Sequence, residues 1–411
     1  MTKKDIFNKL IVLFLKVGSM GIKFMFFSIL LPKEMAVSDY GAISLLITTI
    51  TFFIFIIGFD FYNYAHRDFI NDDKKSIVLK LFNQFLFNFL IFILIIPLFY
   101  GTMKYNDLPF IKICLILLFT EYFGQELYRL LIVFSKPILG NIILFFRSSF
   151  WIIALIFFHY YSKIDFSIFN ILIYWILGNS LLFLITIIYS LRYKHLKINN
   201  LKIDYLWIKN GIRISIPFLL STIALKTIEL SDRYVIKYFY TNEEVGVYSF
   251  YSNVSNSLNV FISTSVVIMM YPKILKSFKN NEIKKSKTLI KTYKREMILF
   301  LFLFCVLIIM FINPLINWVG KEEYSQELST FWILLLASIL FNLSLIPHVI
   351  LYALSKDRKI IIPVIWAVVV NLVSNIIFVP YFGILGAGIS TFLSFLIILS
   401  MKYYSVKKID L

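Results

Sequence analysis

The sequence predicts an all-α polytopic membrane protein, with twelve transmembrane helices in two six-helix bundles and both termini cytoplasmic. Three observations predict it. The 411 residues are 60% hydrophobic and 18% aromatic, with a mean hydropathy of +0.83, whereas soluble domains are about 45–50% apolar. Apolar runs recur at about twenty residues or longer, the length a helix needs to cross a ~30 Å hydrocarbon core. Basic residues gather in every second connection between those runs. A transmembrane barrel would show alternating segments about ten residues long instead.

In chain order the runs fall at 6–31, 38–64, 77–101, 108–134, 138–160 and 166–191. They continue at 212–238, 246–271, 293–318, 327–353, 360–379 and 384–403. The first, "MTKKDIFNKLIVLFLKVGSMGIKFMFF", imitates a signal peptide. Lys16 and Lys23 interrupt its apolar region and no small-residue cleavage site follows, so it reads as a retained span. The other eleven need only length and hydropathy. The short hairpins at 134–138 and 380–384 separate neighbouring spans.

Loop charge tests the count independently. Lys3, Lys4, Lys9, Arg67, Lys74, Lys75, Lys136, Arg192, Lys194, Lys197, Lys202 and Lys209 fall on one side. So do the cluster from Lys273 to Arg295, then Lys356, Arg358, Lys359, Lys402, Lys407 and Lys408, giving 27 in all. The other side holds five: Lys33, Lys104, Lys163, Lys237 and Lys321. This alternation places the basic side, with both termini, in the cytoplasm. It also explains the net charge of +18 without nucleic acid. Cys114 and Cys305 lie in apolar segments, as small core hydrophobes rather than a disulfide or a metal site.

The basic connection 192–211 divides the chain into an N-terminal bundle (1–195), a cytoplasmic linker (196–211) and a C-terminal bundle (212–411). An even number of spans in each half gives a parallel repeat about the membrane normal. "KEMAVSDYGAISLL" and "FYTNEEVGVYSFY" both place an acidic external turn before a glycine. Aligning Gly41 with Gly246 sets Ser44 on Ser249, Thr48 on Asn253 and Thr51 on Asn256.

Charges within spans single out candidate site residues, since each costs about 2.5–3.5 kcal/mol at the bilayer centre. Lys226, Glu229 and Arg233 lie within about 60° on one helix face, where Glu229 can pair with either cation, while Asp232 points elsewhere. Lys16 and Lys23 form a basic stripe on span one with no nearby acid on that helix. Glu121, Gln125 and Arg129 climb span four, with Arg147 in span five. Span eight carries Ser252, Asn256, Asn259 and Ser263 on one face, widened by Ser249, Asn253 and Ser255. These groups suit a wet cavity: cations for an anion, amides and hydroxyls for sugar hydroxyls. Buried structural pairs and interhelical packing are the plainer readings. Asn342, His348, Asn371, Ser374 and Asn375 form shorter polar patches. No phosphate-binding "GxxxxGK[ST]" occurs and the four histidines are scattered, so neither an ATPase motif nor a metal cluster is visible. The short outer loops leave no room for an extracytoplasmic active site, which favours a transporter over an enzyme.

Two stretches carry a family resemblance. "LSDRYVIKYFYTNEEVGVYSFYSNV" has an Asp-Arg pair (Asp232, Arg233), an apolar run, a short acidic turn, then Gly246, Tyr248 and Ser249. "YALSKDRKIIIPVIWAVVVNLVSNIIFVPYFGILGAGISTFLS" has a basic turn, Asn371 and Asn375, then Pro380, Gly383, Gly386, Ala387 and Gly388. "DYGAISLL" fits more weakly. In order and spacing these resemble the bacterial polysaccharide and O-antigen flippases of the multidrug/oligosaccharidyl-lipid/polysaccharide exporter superfamily. The resemblance implies an inner-membrane protein of twelve spans that carries undecaprenyl-pyrophosphate-linked oligosaccharide units between leaflets by alternating access. Lys16, Lys23, Lys226 and Arg233 would then meet the pyrophosphate, and Ser252, Asn253, Asn256, Asn259 and Ser263 the sugar. Glu229 or Asp232 would serve coupling or gating, with a proton or sodium gradient and no bound cofactor. Polysaccharide polymerase and chain-length proteins are the implied partners. Three alternatives stand beside this reading: a drug/cation antiporter of the same superfamily, a peptidoglycan lipid-precursor flippase, and a membrane polymerase or ligase. The first would want an anionic cavity, and the second is expected to be longer.

Overall fold

The computed structural model describes residues 3–69, 74–191 and 202–409, and all regular structure among them is helical. Residues 192–201, with Arg192, Lys194, Lys197 and the start of the expected linker, lie outside the described residues, as do the side chains of Lys3, Lys4, Lys9, Lys74 and Lys75. The helices are α1 (Lys3–Met25), α2 (Leu31–Glu34), α3 (Val37–Gly58), α4 (Tyr62–Phe69), α5 (Lys74–Tyr105) and α6 (Ile111–Val133). They continue as α7 (Pro137–Phe145), α8 (Trp151–Ser162), α9 (Ile168–Leu191), α10 (Tyr205–Phe239), α11 (Asn242–Ile262) and α12 (Ile268–Lys279). The last are α13 (Ile283–Val319), α14 (Glu322–Gln326), α15 (Leu328–Ala353) and α16 (Asp357–Lys407). Single π-helical turns, Phe26–Leu30, Phe146–Phe150 and Ser263–Val267, join α1 to α2, α7 to α8 and α11 to α12 without ending the helix.

Among the described residues, nine helices are long and apolar enough to cross a membrane. One is the 51-residue α16, broken at Gly383 (φ 58°, ψ −139°), a backbone conformation essentially reserved for glycine. A Cβ on Gly386 would sit 2.4 Å from the Phe378 carbonyl oxygen. The chain therefore doubles back, and α16 supplies two crossings. α6, 23 residues with Lys112, Glu121, Glu126 and Arg129, and α9, 24 residues, complete twelve.

The chain forms two compact units, Met1–Leu31 with Leu46–Ile223, and Pro32–Leu45 with Ala224–Leu411. In the first, α6 packs on α7 and α9, α1 on α7, and α8 on α9. A corner beyond α3 buries Phe61, Ala65, Phe69 and Trp207. The Trp207 indole donates to Asp68 at 2.8 Å, and Asp204 accepts the Trp207 N–H at 2.9 Å, capping α10.

In the second unit α15 packs against α16 and α11, and α12 against α13. Its core holds Ile228, Ala337, Val364, Ala367, Phe395 and Ile398. The alanines bring helix backbones close, which is what drives association where lipid is as apolar as leucine. α3 and α11 approach more closely still. A Cβ on Gly41 would lie 1.7 Å from the Asn242 carbonyl oxygen, and one on Gly246 2.3 Å from that of Val37. The two glycines aligned from sequence thus face each other. Thr241 opens α11 with a full capping box, its hydroxyl accepting from Glu243 N at 3.2 Å while Glu244 reaches back to Thr241 N at 3.1 Å.

The basic connection 272–295 is a helical hairpin rather than a loop. α12 runs to Lys279 and α13 begins at Ile283, and Ser277 and Ser286 join them at 2.8 Å. Lys402, counted above as a loop cation, is buried beside His348 at 3.2 Å.

Candidate functional site

Polar side chains collect inside each unit. In the first unit one such cluster lies among α1, α6, the α7–α8 turn and α9. Trp151 and Trp175 stack with ring centroids 5.3 Å apart and planes 8° from parallel. The Trp175 indole N–H donates to Glu121 Oε1, and the Arg147 Nε lies 3.2 Å from Glu121 Oε2. Lys23 Nζ sits 5.5 Å from the Trp175 ring centre and 5.9 Å from that of Phe27, within cation–π reach. The stripe on span one therefore does come near an acid, but one supplied by α6: the Trp175 ring beneath Lys23 donates to Glu121.

One carboxylate faces two cations here, so the cluster keeps a surplus positive charge. Arg147 Nη1 is buried without a hydrogen-bond partner. A buried guanidinium N–H left unmatched is costly and is a ready donor to an anion. Lys23 is half-buried, with its Nζ over the Trp175 and Phe27 rings. Lys16, two turns earlier, is half-exposed and in no ion pair among the described residues. Gln125 does not join Glu121 and Arg129 in a ladder. Arg129 instead pairs with Glu126 at 2.5 Å.

In the second unit the stretch Lys226–Arg233 separates into two environments. Lys226 and Glu229 pair at 2.5 Å with side chains 26% and 37% exposed, so the pair stands open. Arg233 does not join it as a second partner of the carboxylate. Its Nη1 donates to the Glu229 carbonyl at 3.1 Å, its Nε to Ser249 at 3.0 Å and its Nη2 to Ser252 at 3.3 Å.

Asp232 is 1% exposed. It accepts from Thr391 at 2.5 Å, from Asn375 at 2.7 Å and from the Tyr248 hydroxyl. Asn375 leans on Asn371 at 3.3 Å, which also accepts from Ser231 at 3.0 Å. A carboxylate ringed by hydroxyl and amide groups from α10, α11 and both limbs of α16 is an oxygen-rich pocket suited to a proton or a hard monovalent cation.

The face of span eight divides along its length. Ser252 serves Arg233, and Asn253 donates to Tyr40 at 3.1 Å. Asn259 donates to Asn256 at 2.7 Å and accepts from Asn342 at 2.5 Å. Asn256 and Ser263 are exposed. The part of the face nearer the start of α11 is thus packed, and Asn256 with Ser263 is open.

Sequence reading passed over Glu126, Trp175 and Thr391. Glu126 stood three residues before Arg129, a spacing that signals a pair. Lone Trp175 and Thr391 gave no signal, because their partners lie 54 and 159 residues away.

No protein-family model and no curated protein matches this chain. Solved structures do. A multidrug resistance MATE family transporter of the MOP superfamily, in an inward-facing conformation, aligns with a TM-score of 0.76 over 95% of this chain and 94% of its own, at 11% identity. The lipid II flippase MurJ, in an inward closed conformation, aligns with a TM-score of 0.73 over 98% and 88%, at 15% identity. A MOP superfamily transporter from Pyrococcus furiosus, described as having a binding pocket of reverse polarity, gives 0.53 over 98% and 94%, at 12% identity. The chain has the twelve-helix fold of these transporters.

Proposed function

We propose that this chain is a flippase that moves undecaprenyl-pyrophosphate-linked oligosaccharide units from the inner to the outer leaflet of the cytoplasmic membrane, its two six-helix halves alternating access. The observation that carries the reading is the surplus positive charge in the first unit. Lys23 and the unmatched Arg147 N–H suit a pyrophosphate, the ammonium as a point charge and the guanidinium as a directional donor. A drug cation would be repelled from the same place. Asn256 and Ser263 offer amide and hydroxyl groups to the sugar, while the lipid tail stays in the bilayer.

Transport runs on an ion gradient in this proposal, and Asp232 replaces Glu229 as the coupling group. Glu229 is neutralised by Lys226 in an open pair, whereas Asp232 is buried among neutral donors whose hydrogen bonds can rearrange around a cation. Polysaccharide polymerase and chain-length proteins would receive the product.

Reconstitution tests this directly. Vesicles holding the purified chain should move a fluorescent undecaprenyl-pyrophosphate oligosaccharide to the outer leaflet, where an added glycosidase cleaves it. Lys23→Ala and Arg147→Ala should each slow that movement at least tenfold. Wild-type rates in both variants, or transport of a cationic dye instead, would refute the assignment.

A further inference from the structure

A second polar network lies in the first unit, apart from the Lys23–Glu121 cluster. It occupies the seam where the α3–α4 corner meets α5 and α6. Phe59 and Asp60 both take left-handed backbone conformations (φ 50° and 48°) between α3 and α4, which costs non-glycine residues on the order of 1–3 kcal/mol each. That corner leaves the Asp60 carboxylate 5% exposed, held by the Thr222 hydroxyl at 2.5 Å. No ion pair is made by Asp60 among the described residues.

Glu126 is the second buried carboxylate, linked to the Asp60 corner through Tyr62, whose ring carries the Arg129 that pairs with Glu126. One of its oxygens meets Arg129 at 2.5 Å and the other accepts from Gln84 at 3.1 Å. The Arg129 guanidinium lies 3.8 Å from the Tyr62 ring centre. The remaining ionisable neighbours are His66 and Tyr122. Burial and the nearby Arg129 push His66 down to about 4, so its ring is neutral at pH 7. The Tyr122 hydroxyl accepts from Asn88. The seam therefore holds two buried carboxylates and one guanidinium, which pairs with Glu126, so that with both ionised it carries one negative charge in excess. An uncompensated buried charge is among the most expensive features a fold can carry.

An independent observation points to what offsets it. Gln84 and Asn88 stand one turn apart on α5, 4% and 1% exposed. Each uses its amide NH2 inside the seam, yet Gln84 Oε1 and Asn88 Oδ1 are buried without a hydrogen-bond donor. Both amides present oxygen where a partner is lacking, and for Gln84 the orientation is fixed, since turning it over would set its oxygen against the Glu126 carboxylate. Carboxylate and carbonyl oxygens with no free donor among them are ligands for a positive charge.

We propose that this seam, through Asp60, Glu126, Gln84 and Asn88, holds one exchangeable positive charge, either a proton or a small monovalent cation such as Na+. The site is distinct from Asp232 and does not depend on what the chain transports.

Binding to the purified full chain tests it without a transport assay. Its thermal unfolding is followed in detergent across NaCl concentrations, with choline chloride keeping ionic strength constant, and across pH 5–8. A sodium site predicts a saturable rise in Tm with NaCl that Asp60→Asn and Glu126→Gln abolish. Gln84→Leu and Asn88→Leu, which alter no charge and guard against a misfolded carboxylate variant, should raise the NaCl midpoint at least tenfold. A proton site predicts no sodium response but a Tm–pH slope that falls in the carboxylate variants, the His66 contribution being common to all. Unchanged NaCl midpoints and pH slopes in all four variants would overturn the proposal. So would a sodium response that only Asp232→Asn removes.

Discussion

At the scale of the residue, neighbouring charges on α10 have opposite fates. Lys226 and Glu229 share an open pair of the kind worth about 0–1 kcal/mol. Asp232 anchors three donors out of reach of water. Removing the carboxylate strands those donors, at about 1–3 kcal/mol for each group left unsatisfied. Asp232→Ala should therefore lower the unfolding temperature in detergent clearly, while Lys226→Ala should shift it only slightly. Equal shifts would mean that the ring around Asp232 contributes nothing to stability. The sequence announced that Lys226, Glu229, Asp232 and Arg233 were anomalous. It could not assign their partners, because Asn375 and Thr391 arrive from the far end of the chain. Lys23 repeats the lesson: its own helix offered no acid nearby, and the one it comes near, Glu121, belongs to α6.

At the scale of the element, length and hydropathy sufficed for the spans, because a helix in lipid satisfies its own backbone. The break at Gly383 was legible from Pro380 and the glycines that follow. The π-helical turns were not, since no residue in "FFSIL", "FRSSF" or "STSVV" demands one. Nor was the helical hairpin of α12 and α13, whose lysines look like loop from composition alone. The crossing of α3 and α11 gives this scale its prediction. A methyl group on Gly41 or Gly246 meets backbone, which cannot rotate aside. Gly41→Ala and Gly246→Ala should each destabilise by at least the 1–3 kcal/mol typical of overpacking. Gly101→Ala, with nothing within 4 Å of the new methyl, should be neutral or stabilising by about 0.5–1 kcal/mol. Thermal melts of the three variants would separate them, and similar behaviour at all three would contradict the close approach.

At the scale of the whole molecule, the twelve-helix fold followed from counting, and the charge bias adds a direction. Nine exposed cations stand on the α12–α13 hairpin between Lys273 and Arg295. α13 alone is 37 residues, about 55 Å, so its basic end projects well past a ~30 Å hydrocarbon core. The charge bias predicts a cytoplasmic hairpin, so a cysteine replacing Lys284 should resist an impermeant thiol reagent in intact cells, and one replacing Glu244 should react. Cys114 is buried and Cys305 half-buried, so both are first replaced by alanine. The reverse labelling pattern would invert the topology. Function was the least legible level, since it rests on which cations stay unmatched after folding.

The contact between Gly41 and Gly246 also carries a historical reading. The sequence alignment sets one on the other, and within the second unit the two touch. Two identical chains meeting about a twofold axis make such like-on-like contacts, and fusion of duplicated genes would preserve one. An ancestor of half this length would then have paired through this glycine. Descent of that kind ties the two positions together, so related chains that gain a side chain at one should keep glycine at the other. Independent variation at the two positions would remove the inference and leave only a tight crossing.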